Sequence, residues 1–177
     1  MEITEAEDRL RLRKLDTEKI LDLLFFQVRN LWRVDGLYFL GIEEKFGVKP
    51  ATEIDANCWS SLAKIEAKDL KKIFGIEKVE SIETLLELLS NTSRALYQTK
   101  KDFEISDNSG IFRVVSCKIQ EARLKKGLEI FSCKKVRFGY LKSFVEELNS
   151  NFEVICKACP PDKKPENCWC EWEFRKK

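Results

Sequence analysis

The sequence predicts an α+β domain: N-terminal helices, one long and central, packed on a C-terminal antiparallel sheet built from two hairpins. Three observations carry this. Apolar residues recur at helical spacing from residue 16 to 46; capping residues and glycine stops punctuate the chain up to about residue 97; beyond Tyr97, alternation and β-branched residues take over around turn signals. Helices first and paired strands later is the α+β pattern. The 177 residues fit a single domain over 1–177, large enough to bury a core without disulfides.

Thr4-x-x-Glu7 has the form of a capping box, so residues 4–15 read as a short helix, loosely attached. From Asp16 to Phe46, Ile20, Leu23, Leu24, Leu31, Val34, Tyr38 and Ile42 recur at spacings of three, four or seven, which predicts the central helix. Gly47 stops it, and Pro50 suits the first turn of a second helix running to about Ile73 and ended by Gly75. Ser81 caps a third, with Ile82, Leu85, Leu86, Leu88 and Leu89 as its apolar face. Phe103 and Ile105, the turn at 107–110, and the β-branched stretch from Ile111 to Ile119 read as a hairpin. Gln120–Lys126, closed by Gly127, and Tyr140–Leu148 read as short helices, with Cys133–Phe138 a strand or extended loop between them. Phe152–Cys156 and Cys168–Phe174 alternate as a second hairpin.

Composition narrows the function classes. Lys plus Arg number 32 against 30 Asp plus Glu, a net charge of +2 that demands neither nucleic acid nor membrane. The basic stretches Lys125-Lys126, Lys134-Lys135-x-Arg137 and Lys163-Lys164 read as a solvated face, with RNA binding the lesser hypothesis. The acidic start lacks the form of a secretory signal, and the apolar run near 20–42 is too charged to span a bilayer, so a cytoplasmic protein is expected. The chain has no histidine, which excludes Ser-His-Asp and Cys-His catalysis and His-ligated metals. A homo-oligomer is left open.

Four of the seven cysteines fall within fifteen positions, in Cys156-x-x-Cys159-Pro-Pro-Asp162 and Cys168-Trp-Cys170. A register pairing Phe152 with Phe174 and Val154 with Trp172 puts Cys156 opposite Cys170, with Cys159 reaching back from the loop. Three or four thiolates would suit zinc, and Cys117 or Cys133 could complete the set from elsewhere in the sheet. Buried free thiols or a disulfide are the equal alternative.

The segments Cys117-Lys-Ile-Gln120-Glu-Ala122-Arg123, Phe131-Ser-Cys133-Lys134, Cys156-Lys-Ala-Cys159-Pro160-Pro161-Asp162 and Cys170-Glu-Trp172-Glu173-Phe174 resemble an uncharacterised prokaryotic cytosolic-protein family. Leu31-Trp32-Arg-Val-Asp35-Gly36-Leu-Tyr38-Phe39 and Asp55-x-x-x-Trp59 fit it too, so the resemblance spans residues 20–175. That family looks related to L-2-amino-thiazoline-4-carboxylic acid hydrolases and, more remotely, to small-molecule-binding domains of the 4-vinyl reductase type. The resemblance implies an α+β ligand-binding scaffold and five family-like cysteines, Cys117, Cys133, Cys156, Cys159 and Cys170, as the candidate metal or thiol site. Cys58 and Cys168 fall outside the pattern.

A second candidate site lies on the helices. Trp32, Asp35 and Tyr38 or Phe39 share one side of the central helix, and Asp55 and Trp59 repeat the pairing four residues apart on the next. If these helices pack antiparallel, Trp32, Asp35, Tyr38, Asp55 and Trp59 line one pocket, with Arg123 as counter-charge. The structural alternative makes the tryptophans core and pairs Asp35 with Arg33 or Arg123. Two functions remain open: a small-molecule-binding or sensing domain closed at one end by the cysteine site, or a hydrolase of a small heterocyclic or amide substrate. In the hydrolase a low-pKa cysteine near Arg123 or Lys134 would attack, or a metal-bound water would, with Asp35 or Glu173 as base.

Overall fold

A computed structural model describes residues 4–106 and 108–177. Thr4 closes the expected capping box with Glu7 and starts α1 (Glu5–Leu12), none of whose residues is buried. Asp16 accepts the Lys19 N–H and starts α2 (Thr17–Phe46), the long central helix. Gly47, at φ 88°, separates it from α3 (Val48–Phe74), and Gly75, at φ 65°, ends α3 in the left-handed conformation that favours glycine. Ser81 caps α4 (Ile82–Ser90), whose apolar face is buried as its spacing predicts. A short helix, α5 (Ser93–Tyr97), follows, capped by Thr92.

The first hairpin comprises β1 (Lys100–Ile105) and β2 (Ser109–Ser116). β2 stops three residues before the β-branched stretch does. Cys117 to Ile119 turn instead into α6 (Lys118–Lys125), so the strand expected to run to Ile119 is shorter. Cys133–Phe138, expected to be extended, form the cap and first turns of α7 (Lys134–Leu148). Tertiary burial decides this segment: Val136, Arg137, Tyr140, Leu141, Phe144, Val145 and Leu148 occupy two adjoining helix faces, both covered. The second hairpin is β3 (Phe152–Ala158) and β4 (Cys170–Lys176).

The hairpins join through β2 and β4 into one antiparallel sheet of order β1-β2-β4-β3. Its inner face carries Phe112, Val114, Phe152, Cys170, Trp172 and Phe174, all buried, as the period of two requires. α4 and α7 cover this face, α3 lies across α7 in the most extensive helix contact, and α2 packs on α3. Small residues let α3 and α7 approach closely. Ala56, Ala63 and Ala67 are buried along α3, and a Cβ on Gly139 of α7 would stand 2.8 Å from Ser60 Oγ. On the outer face Arg113 pairs with Asp102, Glu104 and Glu171, and Glu173 pairs with Arg175 and Lys157. Glu173, named with Asp35 as a possible base, is thus engaged by two cations on the outer face of the sheet.

Residues 17–27 of α2 are exposed on every side although Ile20, Leu21, Leu23, Leu24, Phe25 and Phe26 are apolar. No helix among the described residues is long and apolar enough to cross a membrane.

Candidate functional site

α2 and α3 run antiparallel and bring both Asp–Trp pairs together. Trp59 Nε1 donates to Asp35 Oδ1 at 3.0 Å, and the Trp32 and Trp59 rings stack at 4.6 Å. Tyr97 of α5 stacks on the other face of Trp32 at 4.7 Å, and the Trp32 indole donates to the Ser93 carbonyl at 3.2 Å. Both tryptophans are buried, so they are core as well as scaffold. Tyr38 points away: it is 71% exposed and takes no part, because at 100° per residue it leaves the face that Trp32 and Asp35 share.

The group that neutralises the carboxylates is Arg94 of α5. Its guanidinium lies 3.9 Å above the Trp59 ring and 5.1 Å from that of Tyr140, only 5% of the residue is exposed, and its Nε has no hydrogen-bond partner. Burial, then repulsion from Arg137, lowers its pKa to about 10, so it stays charged at neutral pH. Arg123, the expected counter-charge, instead forms a two-pronged pair with Glu43 at 2.8 and 3.0 Å. Arg33 bonds Asn30. A lone arginine in a five-residue helix leaves no periodic trace in a sequence, which is why Arg94 was missed.

Asp35 and Asp55 share one environment, and burial favours the protonated form of each. Desolvation raises the Asp35 pKa against the pull of Arg94 and the Trp59 N–H. Desolvation, reinforced by the Asp35 charge, raises that of Asp55 to about 7. Two partly buried carboxyls this close cannot both ionise cheaply.

These groups border a cavity of about 410 Å³ between α2, α5, α6 and the start of α7. Trp32, Asp35, Asp55 and Arg123 lie on its wall, four of the six expected residues, while Trp59 stands behind Asp35. Phe39 and Phe131, edge to face at 4.8 Å, supply an apolar side. Five cationic side chains (Arg33, Arg94, Lys118, Arg123 and Lys126) border it against Asp35 and Asp55. Gly36 also lines it, and a Cβ there would meet nothing within 4 Å.

At the inner end of this cavity lies sulfur. Cys133 is on its wall and caps α7. Cys133 Sγ is 3.7 Å from Cys159 Sγ, and Cys170 neighbours Cys159 closely enough to shift its pKa. Local chemistry brings the three together. Gln120, fully buried, clamps the loop before Cys133 by accepting from the Phe131 N–H at 2.9 Å and donating to its carbonyl at 2.7 Å. Lys134 N–H donates to the Pro160 carbonyl at 3.0 Å, and Lys134 Nζ pairs with Asp162 at 2.8 Å, tying the loop after β3 to the start of α7.

The hairpin register differs from that expected. Phe152 faces Lys176, Val154 faces Phe174 and Cys156 faces Trp172, with an irregularity between Cys156 and Ala158. A slip of two keeps every side chain on its face but moves Cys156 away from Cys170, and the bulge delivers Cys159 there instead. Cys117 and Cys156 are half-buried neighbours close enough to influence the cluster electrostatically. Cys58 is exposed, and Cys168 is buried before β4. All seven cysteines are free, and among the described residues no group of three or more Cys, Asp or Glu is arranged to hold a metal.

Contact with Cys133 and Cys170, added to burial, strongly raises the pKa of Cys159. Its two neighbours move the other way: Cys159, with Arg94 and Arg137 nearby, lowers Cys133 against the cost of burial, and Cys159 with Arg137 lowers Cys170 to about 6. Burial raises Cys117 to about 11. Arg137 is buried with unpartnered Nε and Nη2, its charge resting on Phe112 and Tyr140. The basic stretches of the sequence are thereby divided, since Arg137 is interior while Lys134 and Lys135 pair with Asp162 and Glu53.

Fold and site together define a small α+β domain with a charged interior cavity and a chain of buried thiols at its end. The chain belongs to a family of unknown function (DUF6125), whose pattern matches residues 13–176. No curated protein matches it.

Proposed function

We propose that the cavity binds a small molecule bearing a carboxylate or a comparable acidic group, as a ligand-binding or sensing domain would. The observation that carries this reading is the charge of its wall: Arg33, Arg94, Lys118 and Lys126, besides the Glu43-paired Arg123, stand against two carboxyls whose burial favours the neutral form, with the unpartnered N–H of Arg94 buried beside them. A buried donor without a partner costs roughly 1–3 kcal/mol, which an anionic acceptor in the cavity would recover. Phe39, Phe131 and Trp32 would hold the apolar body of such a ligand.

Calorimetry and thermal shift with small carboxylic acids and their amides test it. Acids should bind and stabilise, by about 2.7 kcal/mol at a hundredfold excess over Kd, amides should not, and Arg94→Met should erase the difference. Equal effects of acid and amide would sink the reading.

Hydrolysis of a small heterocyclic or amide substrate is a second reading, favoured by one observation. Asp55, near pKa 7 on the cavity wall, is matched to general acid–base work at neutral pH. It predicts turnover of an aminothiazoline carboxylate with a pH limb near 7 that Asp55→Asn abolishes.

A further inference from the structure

Of the hydrogen-bonded sulfurs, Cys133 lies on the cavity wall, half-buried, while Cys159 stands directly behind it, 1% exposed and 3.7 Å away. A disulfide bond measures about 2.05 Å, so the sulfurs need close by only about 1.7 Å to join. Cys133 also sits at the N-terminus of a fifteen-residue helix, and Arg94 lines the same cavity, so negative charge on this sulfur is favoured from two directions. A cavity-facing thiol in a positive setting, backed by a second thiol sheltered from solvent, is the arrangement of an attacking and a resolving cysteine.

We propose that the cavity is a thiol–disulfide exchange site for a small carboxylate-bearing disulfide, with Cys133 attacking and Cys159 resolving. The proposal rests on the reading of the cavity as a site for a small acidic molecule. Cys133 loses its proton to water and its thiolate attacks one sulfur of the bound disulfide; the S–S bond breaks, a mixed disulfide forms on Cys133, and the first thiolate leaves and regains a proton from water. Cys159 then attacks the Cys133 sulfur, and its proton goes to the second departing thiolate. The protein dithiol is oxidised to a Cys133–Cys159 disulfide and the small disulfide is reduced to two thiols, so atoms and electrons balance. Arg94 would take the carboxylate, which sets a preference for acidic over neutral disulfides.

The test uses the full-length reduced protein with dithiodipropionate and, as neutral counterpart, bis(hydroxyethyl) disulfide, read by intact mass and peptide mapping. The expected result is a Cys133–Cys159 disulfide formed at least tenfold faster with the acidic reagent. Cys159→Ser should trap the mixed disulfide on Cys133, and Cys133→Ser should give neither product while keeping its thermal melt. Arg94→Met should lose the tenfold preference. Oxidation that maps to other cysteines, or that proceeds unchanged in Cys133→Ser, overturns the proposal. Unreactive propionate separates the two readings. If it binds in the wild-type protein and no exchange occurs at Cys133, exchange alone fails; if exchange occurs there with no acid preference and no propionate binding, the acidic-ligand reading fails.

Discussion

At the scale of single residues, Asp55 controls how the interior responds to pH. Its folded-state pKa of about 7 lies above the ordinary carboxyl value, so the folded chain holds the proton more tightly than the unfolded one. The resulting cost to stability is absent below the unfolded-state pKa, grows as pH rises, and is complete above about 7. Replacing Asp55 with Asn removes it. Denaturation at several pH values should find Asp55→Asn more stable than wild type at pH above about 7, by on the order of 2–4 kcal/mol, with the gap closing towards acidic pH. A constant gap would mean that Asp55 does not carry the titration. Gly36 offers the complementary case. A helical glycine costs about 1 kcal/mol relative to alanine, and a Cβ here enters empty cavity space, so Gly36→Ala should raise stability by roughly 0.5–1 kcal/mol. If the cavity is a binding site, the same change should weaken ligand binding, a trade that thermal melts and calorimetry on one variant would expose together.

The Asp–Trp pairs were legible because helical spacing puts them on one face. Arg94 was not, because its importance comes from lying beside Trp32 and Trp59, 62 and 35 positions away in sequence, on α2 and α3.

At the scale of elements, caps and glycine stops reported helix ends faithfully: Thr4, Asp16, Gly47, Gly75 and Ser81 bound the helices that their chemistry implies. These signals are local, made by side chains within a turn of the backbone groups they satisfy. Within 117–138 the helix expected at 120–126 is present, whereas 117–119 and 133–138 are helical rather than extended because their conformation depends on Gln120, which clamps a distant loop, and on the double-faced burial of α7. Gly110 shows how α4 is seated on the sheet. A Cβ there would clash with Leu86 Cδ1 and stand 2.7 Å from Ile82 Cγ2, both on buried side chains with little room to move. Gly110→Ala should therefore lower stability by about 1–3 kcal/mol in chemical denaturation, where an alanine in an open strand would be neutral or better.

At the scale of the molecule, order should be uneven. The C-terminal half of α2 is anchored through Val28 and Trp32, whereas residues 17–27 contribute no buried side chain. Hydrogen exchange should find the amides of 17–27 weakly protected and those of α3 and α7 protected close to the global limit. Strong protection at 17–27 would instead mean that its exposed apolar surface is covered by another molecule in solution.

Sequence alone determined the succession of helices and then hairpins, the long central helix and, Arg94 apart, the residues with chemistry to offer, because caps, turns and periodicity act over a few residues. Only the tertiary structure decided which of those residues meet. It shifted the hairpin by two, exchanged Cys156 for Cys159 beside Cys170, moved Tyr38 out, gave Arg123 to Glu43 and placed Arg94 against the carboxyls. Strand register, helix crossing and buried charge pairing are settled by contacts between segments far apart in the chain. No local pattern encodes them.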